Sequence, residues 1–273
     1  MYNVGEVLIL GGNRFVGKAL AKKIVWEYRY NFVDVFNRSG TGPRGTNIIQ
    51  GDRNNREDLE KIDWDKYDTI VDMCLFKPEQ FQLIEYQIPK DTNYIFVSSG
   101  AADERYIKYY GDYGHEKREV EMLLKSSDLN YKIVRPSYIV GIGNHRPRLG
   151  YYMNKIINKE FIDIDVYGEN IINVVFVQDV VDYLIELVCD RERKLFTENI
   201  VGENITVVDL ISKVSEYCKD GEVLLVRDNR ELLFPKNDFE FNTDNVYTTL
   251  DDGLKEYSKW YYEKGYKEYE YNI

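Results

Sequence analysis

The sequence predicts an α/β fold, a doubly wound parallel sheet followed by a second, smaller α/β domain toward the C-terminal end. Three observations carry this. A short unbroken apolar run, Val7-Leu8-Ile9-Leu10, leads directly into a glycine-rich turn, Gly11-Gly12-Asn13-Arg14-Phe15-Val16-Gly17. Through the first two-thirds of the chain, short apolar runs alternate with amphipathic stretches, the pattern of strands buried on both faces and joined by helices. After Ile139 that alternation weakens, and from about Val207 the chain is mixed and charged.

In chain order, the run at 7–10 is the first strand. The glycine turn follows, and Val16, Leu20, Ile24 and Tyr28 fall at helical spacing behind it. Residues 32–36 read as the second strand, closed by Asn37-Arg38-Ser39-Gly40, and residues 47–52 as a short third. Asn55 with Asp58 resembles a helix start ahead of Leu59 and Ile62. Residues 69–73 are a fourth strand. Pro78 opens a helix expected to carry Phe81, Leu83, Ile84 and Tyr86. Residues 94–97 are a fifth strand ending in Ser98-Ser99-Gly100. A helix spans 114–125, and a sixth strand at 131–134 is closed by Arg135-Pro136. Beyond it, 151–157 looks helical, 164–167 strand-like and 180–188 strongly helical, with Asp179 at the expected N-cap. Residues 198–202 would add one more strand to the main sheet.

Six strands alternating with helices give a Rossmann-type sheet, whose right-handed crossovers bring every strand C-terminus to one edge. Gly11, Arg38, Asp52, Met73, Ser99 and Pro136 stand at those ends and are expected to line one crevice. The predicted division is a dinucleotide-binding domain of 1–140 plus about 174–204. A small substrate-binding domain would be formed by about 141–173 plus 205–273.

Composition narrows the partners. The chain has 273 residues, 36 basic against 47 acidic, and a net charge of −11. A protein that tracks a phosphate backbone relies on a basic surface, so nucleic acid is not the expected main partner, nor is an anionic membrane. Three widely spaced cysteines, Cys74, Cys189 and Cys218, read as reduced thiols rather than a disulfide framework. With only His115 and His145 and no CxxC pair, no metal site is expected. No leader-like N-terminal stretch and no membrane-spanning run is visible, so the expected location is cytoplasmic.

A strand, a glycine turn and a helix in that order give the turn its meaning. Gly11 permits the tight turn, Gly17 the close packing of helix on strand. The helix start, with its unpaired N–H groups, faces a diphosphate. Asn13, Arg14, Phe15 and Val16 are thereby expected at a dinucleotide. Arg14 occupies the place of the usual middle glycine, from which it could reach a phosphate. At the end of the second strand an acidic residue would hydrogen-bond the ribose of NAD, whereas arginine suits the 2′-phosphate of NADP. Arg38 stands there, so between NAD and NADP the sequence tilts toward NADP. Asp52 and Arg53, at the end of the third strand, could bracket the adenine.

Tyr113 and Lys117 form a YxxxK pair, and i, i+4 spacing puts both on one helical face. A free tyrosine ionises near pH ~10, too high for a base at neutral pH. A neighbouring ammonium favours the phenolate and makes Tyr113 a usable acid/base. Lys117 would also bond the nicotinamide ribose. Ser99 could orient a substrate hydroxyl beside Tyr113. Cys74 reads as a small buried residue. Phe176 to Val188 reads as core, and the C-terminal aromatics (Tyr257, Trp260, Tyr261, Tyr262, Tyr266, Tyr269, Tyr271) as packing of a terminal helix. The basic loop Asn144-His145-Arg146-Pro147-Arg148 reads equally as a phosphate contact or as a solvated loop.

Taken together, the GGxxFVG turn, Gly51-Asp52-Arg53, Val97-Ser98-Ser99, the YxxxK pair, Arg135-Pro136, Tyr167-Gly168 and Phe176-Val177-Gln178-Asp179-Val180 resemble the extended short-chain dehydrogenase/reductase superfamily, its NAD-dependent epimerase/dehydratase family. Arg14, the stretch from Arg135-Pro136-Ser137 to Gly141, and Leu149-Gly150-Tyr151-Tyr152 look like an atypical branch that includes chloroplast stem-loop RNA-binding proteins. The resemblance implies a catalytic Ser99, Tyr113 and Lys117. It also implies nucleotide contacts from the turn, Arg38, Asp52, Arg53, Met73, Cys74 and Pro136, and a substrate among nucleotide sugars. Two features depart from the pattern: Arg14, and the short connection between Ser99 and Tyr113, 13 residues from 100 to 112. The expected activity is that of an epimerase, dehydratase or reductase, with a non-catalytic nucleotide- or RNA-binding protein of the same fold as the alternative. A homodimer is expected only because two-fold dimers are the commonest oligomers.

Overall fold

The computed structural model describes residues 5–27, 32–144, 148–164, 170–190, 192, 195–227 and 247–263. The chain divides into two compact units, Met1–Pro136 with Val180–Ile200, and Ser137–Asp179 with Val201–Ile273.

In the first unit the elements follow as β1 (Val7–Leu10), α1 (Phe15–Glu27), β2 (Val33–Asn37), β3 (Asn47–Gln50), α2 (Arg56–Leu59), β4 (Thr69–Asp72), α3 (Pro78–Gln82), β5 (Asn93–Val97), α4 (Gly111–Ser126) and β6 (Asn130–Pro136). Short 3₁₀ turns stand at Trp64–Lys66, Gly100–Ala102 and Ile107–Tyr109. The chain then forms β7 (Tyr138–Val140), α5 (Leu149–Ile157), β8 (Phe161–Ile164) and β9 (Ile171–Phe176) of the second unit. Next come α6 (Val177–Cys189) and β10 (Phe196–Ile200), and last β11 (Glu203–Thr206), α7 (Val207–Ser215), β12 (Leu224–Arg227) and α8 (Leu250–Glu263).

The first unit is built on a seven-stranded sheet in the order β10-β6-β5-β4-β1-β2-β3, every pair parallel. This is the predicted Rossmann-type sheet, with the added strand from beyond residue 195 in place. The winding reverses between β1 and β4, where Leu10 lies level with both Phe36 and Asp72. In such sheets the crevice at that switch point, beyond the strand C-termini, is where ligands bind. β1, β2, β4, β5 and β6 are buried along their whole length, which explains their apolar-rich reading and the single unbroken run of β1. β3, at the sheet edge, is mostly exposed. Leu8, Leu10, Ile70, Phe81, Tyr94, Phe96, Val120 and Leu124 belong to one core cluster of this unit. Asn55 caps α2 as expected, its side chain accepting from the Glu57 and Asp58 amides.

The second unit has two small sheets, β11-β9-β7 and β12-β8. Its core gathers Met153, Ile156, Ile172, Phe176, Leu210, Ile211, Leu254, Tyr257 and Tyr261. The unit boundaries fall at 136/137, 179/180 and 200/201 rather than near 140, 174 and 204. The reason is that β7 and β9 pair with each other, in a sheet apart from the main one.

Three of the expected features differ in the structure. α3 ends at Gln82, and the chain continues in tight turns that bury Ile84 and Ile88 while leaving Tyr86 at 92% exposure. Pro89 forbids a longer helix. The strand expected at 164–167 is β8, which starts three residues earlier, at Phe161, and 165–167 lie outside the described residues. β9 runs straight into α6 without a loop, so the N-cap expected at Asp179 is not there. Asp179 sits in the first turn of α6 and accepts from the Thr248 hydroxyl. Tyr28, His145, Arg146, Pro147, Tyr167, Gly168, Tyr266, Tyr269 and Tyr271 also lie outside the described residues.

Candidate active site

The catalytic and cofactor-binding residues expected from the sequence all belong to the first unit. At the switch point, Gly11 takes φ +91°, a conformation costly for other residues, and its amide bonds the Phe36 carbonyl. A Cβ on Gly17 would lie 2.4 Å from the Gly11 carbonyl oxygen and 3.1 Å from the Met73 sulfur. The first turn of α1 is therefore seated directly on the loop that precedes it, and Met73 closes the cradle from β4. No acidic side chain stands in that first turn. Thirteen residues of helix then direct their N-terminal dipole and free amides at whatever lies above. The observed cradle fits a diphosphate.

At the end of β2 the side chains form a neutral hydrogen-bonded cluster. Asn13 donates to the Ser39 hydroxyl (2.8 Å), which bonds Asn37 Oδ1 and Thr41 Oγ1 (2.7 Å each), and Asn37 donates to the Thr41 carbonyl. No carboxylate takes part. Arg14 and Arg38 are both exposed, and neither guanidinium has a partner among the described residues.

The Gly51-Asp52-Arg53 segment splits in two directions. Asp52 is half-buried and folds its own turn, accepting from Asn54 through both main chain and side chain. Arg53 turns inward: its guanidinium makes two bonds to the Asp72 carboxylate, 2.7 and 3.0 Å, and a third to Cys74 Sγ at 3.2 Å. Burial disfavours the Arg53 charge, but Asp72 more than offsets this and holds it protonated. Cys74 packs against Gly11, and burial pushes its thiol up, away from a reactive thiolate.

Ser99 follows β5 and caps the 3₁₀ turn behind it, its oxygen accepting from the Ala101 amide at 3.2 Å. Its hydroxyl proton stays available for another acceptor. Tyr113 lies in the first turn of α4 at 40% exposure. Lys117, one turn on, is at 2%. Its ammonium donates to the Leu75 carbonyl (2.8 Å) and the Val97 carbonyl (3.2 Å), between the Phe76 and Phe96 rings at 4.8 and 4.9 Å. Burial pushes Lys117 down to about 8. α4 approaches the Ser99 turn closely because Gly114 has no side chain; a Cβ there would lie 2.8 Å from the Ala101 carbonyl oxygen. Pro136 ends β6, buried. Its neighbour Arg135 pairs with buried Glu121, which also accepts from Ser98 Oγ at 2.6 Å.

The fold thus gathers the glycine turn, Met73 and Cys74 at the switch point, and Ser99, Tyr113 and Lys117 at the ends of β4 and β5. Sequence reasoning passed over Asp72, Tyr94, Glu121 and Gly114. Only Gly114, inside the YxxxK pair, carried a local signal, as a glycine in a helix start. The basic loop's one described arginine, Arg148, bonds the Ile139 carbonyl and stacks on Tyr138. Among the described residues no group of three His, Cys, Asp or Glu side chains could hold a metal, and no helix is long and apolar enough to cross a membrane. None of the three cysteines forms a disulfide among the described residues.

No family model matches the chain. It is 23% identical over 241 residues to the chloroplast stem-loop binding protein of 41 kDa b from Arabidopsis thaliana, covering 76% of this chain and 61% of that protein's length. Among solved structures it superposes on the UDP-glucose 4-epimerase of Thermotoga maritima, solved with UDP-glucose, at a TM-score of 0.75 and 17% identity over 94% of this chain and 99% of the other. It superposes likewise on the dTDP-glucose 4,6-dehydratase of Bacillus anthracis in complex with NAD, at 0.76 and 15% over 95% and 97%. The fold is that of the NAD-dependent epimerases and dehydratases.

Proposed function

We propose that the protein is an NAD(P)-dependent enzyme acting on a nucleotide-linked sugar, with Ser99, Tyr113 and Lys117 carrying the proton transfer. The observation that supports it most is a part-exposed phenol one helical turn from a fully buried amine, beside a glycine cradle shaped for a diphosphate. A bound nicotinamide would supply a hydride acceptor and donor. Gly11 to Val16 and Met73 would hold the dinucleotide, with Asp52 at its adenosine end. Arg53, turned onto Asp72, would act from beneath rather than by contact. Ser99 would orient the substrate hydroxyl, Tyr113 would take its proton, and the Lys117 charge would favour the phenolate. Epimerisation, dehydration and net reduction are the three outcomes open to that arrangement. The exposed Arg14 and Arg38 beside a neutral β2 end favour NADP, since nothing there repels a 2′-phosphate.

Replacing Tyr113 by Phe is expected to lower turnover of UDP- or dTDP-linked hexoses at least about 100-fold and to leave coenzyme affinity within about twofold, because the phenol moves a proton and does not hold the diphosphate. An unaltered rate removes Tyr113 from the mechanism. A second reading, a non-catalytic RNA-binding protein of the same fold, is favoured by the likeness to the stem-loop binding protein. It would show salt-sensitive RNA binding at physiological ionic strength and no turnover of a nucleotide-linked sugar, with or without a bound coenzyme.

A further inference from the structure

Beneath the proposed cofactor cradle lies a buried set of charges that the mechanism above does not use. Asp72, at the end of β4, is 0% exposed, and four donors converge on its carboxylate. Oδ1 accepts from Arg53 Nη1 (2.7 Å) and from the Cys74 amide (3.1 Å), and Oδ2 from Arg53 Nη2 (3.0 Å) and the Tyr94 hydroxyl (2.9 Å). Arg53 comes from the loop after β3 and Tyr94 from β5. Two other elements thus pin the start of the turn from Met73 to Leu75. The end of that same turn is pinned by Lys117, whose ammonium takes the Leu75 carbonyl.

Replacing a buried ion pair with apolar side chains is often neutral or stabilising, so fold stability alone does not account for this one. Its neighbour offers a reason. Among the described residues no carboxylate bonds Lys117 Nζ; its hydrogen bonds go to two carbonyls and its flanks to two rings. The charged and titratable groups acting on it are Asp72 and Cys74 from the β4 end, Arg53 from the β3 loop, and Glu121 on its own helix, where Tyr113 stands one turn before it. Asp72 favours the ammonium and Arg53 opposes it.

We propose that Arg53 and Asp72 are positioning residues for Lys117. Their ion pair fixes the turn that presents the Leu75 carbonyl to the ammonium, and their opposed charges set how firmly that ammonium keeps its proton. The functional meaning rests on reading Lys117 as the partner of Tyr113; the electrostatic claim does not. Removing Arg53 leaves the Asp72 charge uncancelled, so Lys117 should hold its proton to higher pH. Removing the Asp72 charge leaves Arg53 unopposed, so Lys117 should release its proton at lower pH. A purely structural pair would change thermal stability and would not shift the two midpoints in opposite directions.

The test is an NMR pH titration of the Lys117 Cε resonance in the full, coenzyme-free chain, labelled with ¹³C-lysine and assigned by its absence in Lys117→Met. The wild-type midpoint is expected at about 8. Arg53→Met should raise it and Asp72→Asn lower it, each by roughly half a unit or more, while Arg53→Lys, which keeps the charge, should stay near wild type. Should Asp72→Asn fail to fold, the contrast between Arg53→Met and Arg53→Lys decides the question alone. Equal midpoints in those two variants, or shifts of the same sign for Arg53→Met and Asp72→Asn, would overturn the proposal. Because no coenzyme is present, a failure here is distinguishable from a failure of the proposed function, which a separate coenzyme titration reads.

Discussion

Lys117 would concentrate the proposed chemistry, and its cost, in one side chain. Burial brings its ammonium from the usual 10.5 to about 8. Between those values the unfolded chain binds the proton and the folded chain does not, so stability rises as the pH goes up through that window. Below about 8 the folded protein carries a buried charge that costs up to about 3 kcal/mol. Lys117→Met is therefore expected to raise the melting temperature at pH 7 and to gain nothing near pH 10.5, while turnover is lost. Thermal melts at the two pH values check this, and equal gains at both would contradict it. Catalytic turnover of the wild type should decline as the pH rises through about 8, where the cation disappears. The i, i+4 spacing of Tyr113 and Lys117 was legible in the sequence because helical period alone brings them to one face. Arg53 was not. A Gly-Asp-Arg run at a strand end gives no sign of whether the arginine faces a ligand or the core, and here a carboxylate from another strand, Asp72, draws it inward.

Gly114 shows how an element positions a residue it does not contain. The first turn of α4 rests on the Ala101 carbonyl through the gap that Gly114 leaves, and this holds Tyr113 beside the turn that Ser99 caps. Gly114→Ala should push that helix start away, destabilise the fold by roughly 1–3 kcal/mol and lower turnover by tenfold or more, since about 1 Å of misplacement can cost 100-fold. Coenzyme affinity should change far less, because the α1 cradle is untouched. Steady-state kinetics beside coenzyme binding separate the two. The inner strands of the main sheet were readable because burial on both faces favours short apolar-rich runs, unbroken in β1. β9 was not, because the apolar run from Ile171 continues into α6 and no turn residue marks the change of period. α3 was overextended for the opposite reason: Leu83 and Ile84 keep helical spacing while the chain tightens toward Pro89.

Across the whole molecule, the acidic balance, −11, makes nucleic acid an unfavourable partner unless a basic region is concentrated locally. Two exposed guanidiniums, Arg14 and Arg38, lie in the loops after β1 and after β2 that frame the proposed cradle, and neither has a partner among the described residues. The fold class and the parallel sheet were legible from alternation alone. The second unit was seen only as a weakening of that pattern, since its strands are short and split between two small sheets. The account stands on the claim that this cradle holds a nicotinamide dinucleotide. Titration of the purified protein with NADPH and with NADH, followed by nicotinamide fluorescence, tests it most directly. Saturable binding is expected, tighter for NADPH, with the preference reduced roughly tenfold or more in Arg38→Ala. Absence of binding by either coenzyme at millimolar concentration would contradict it.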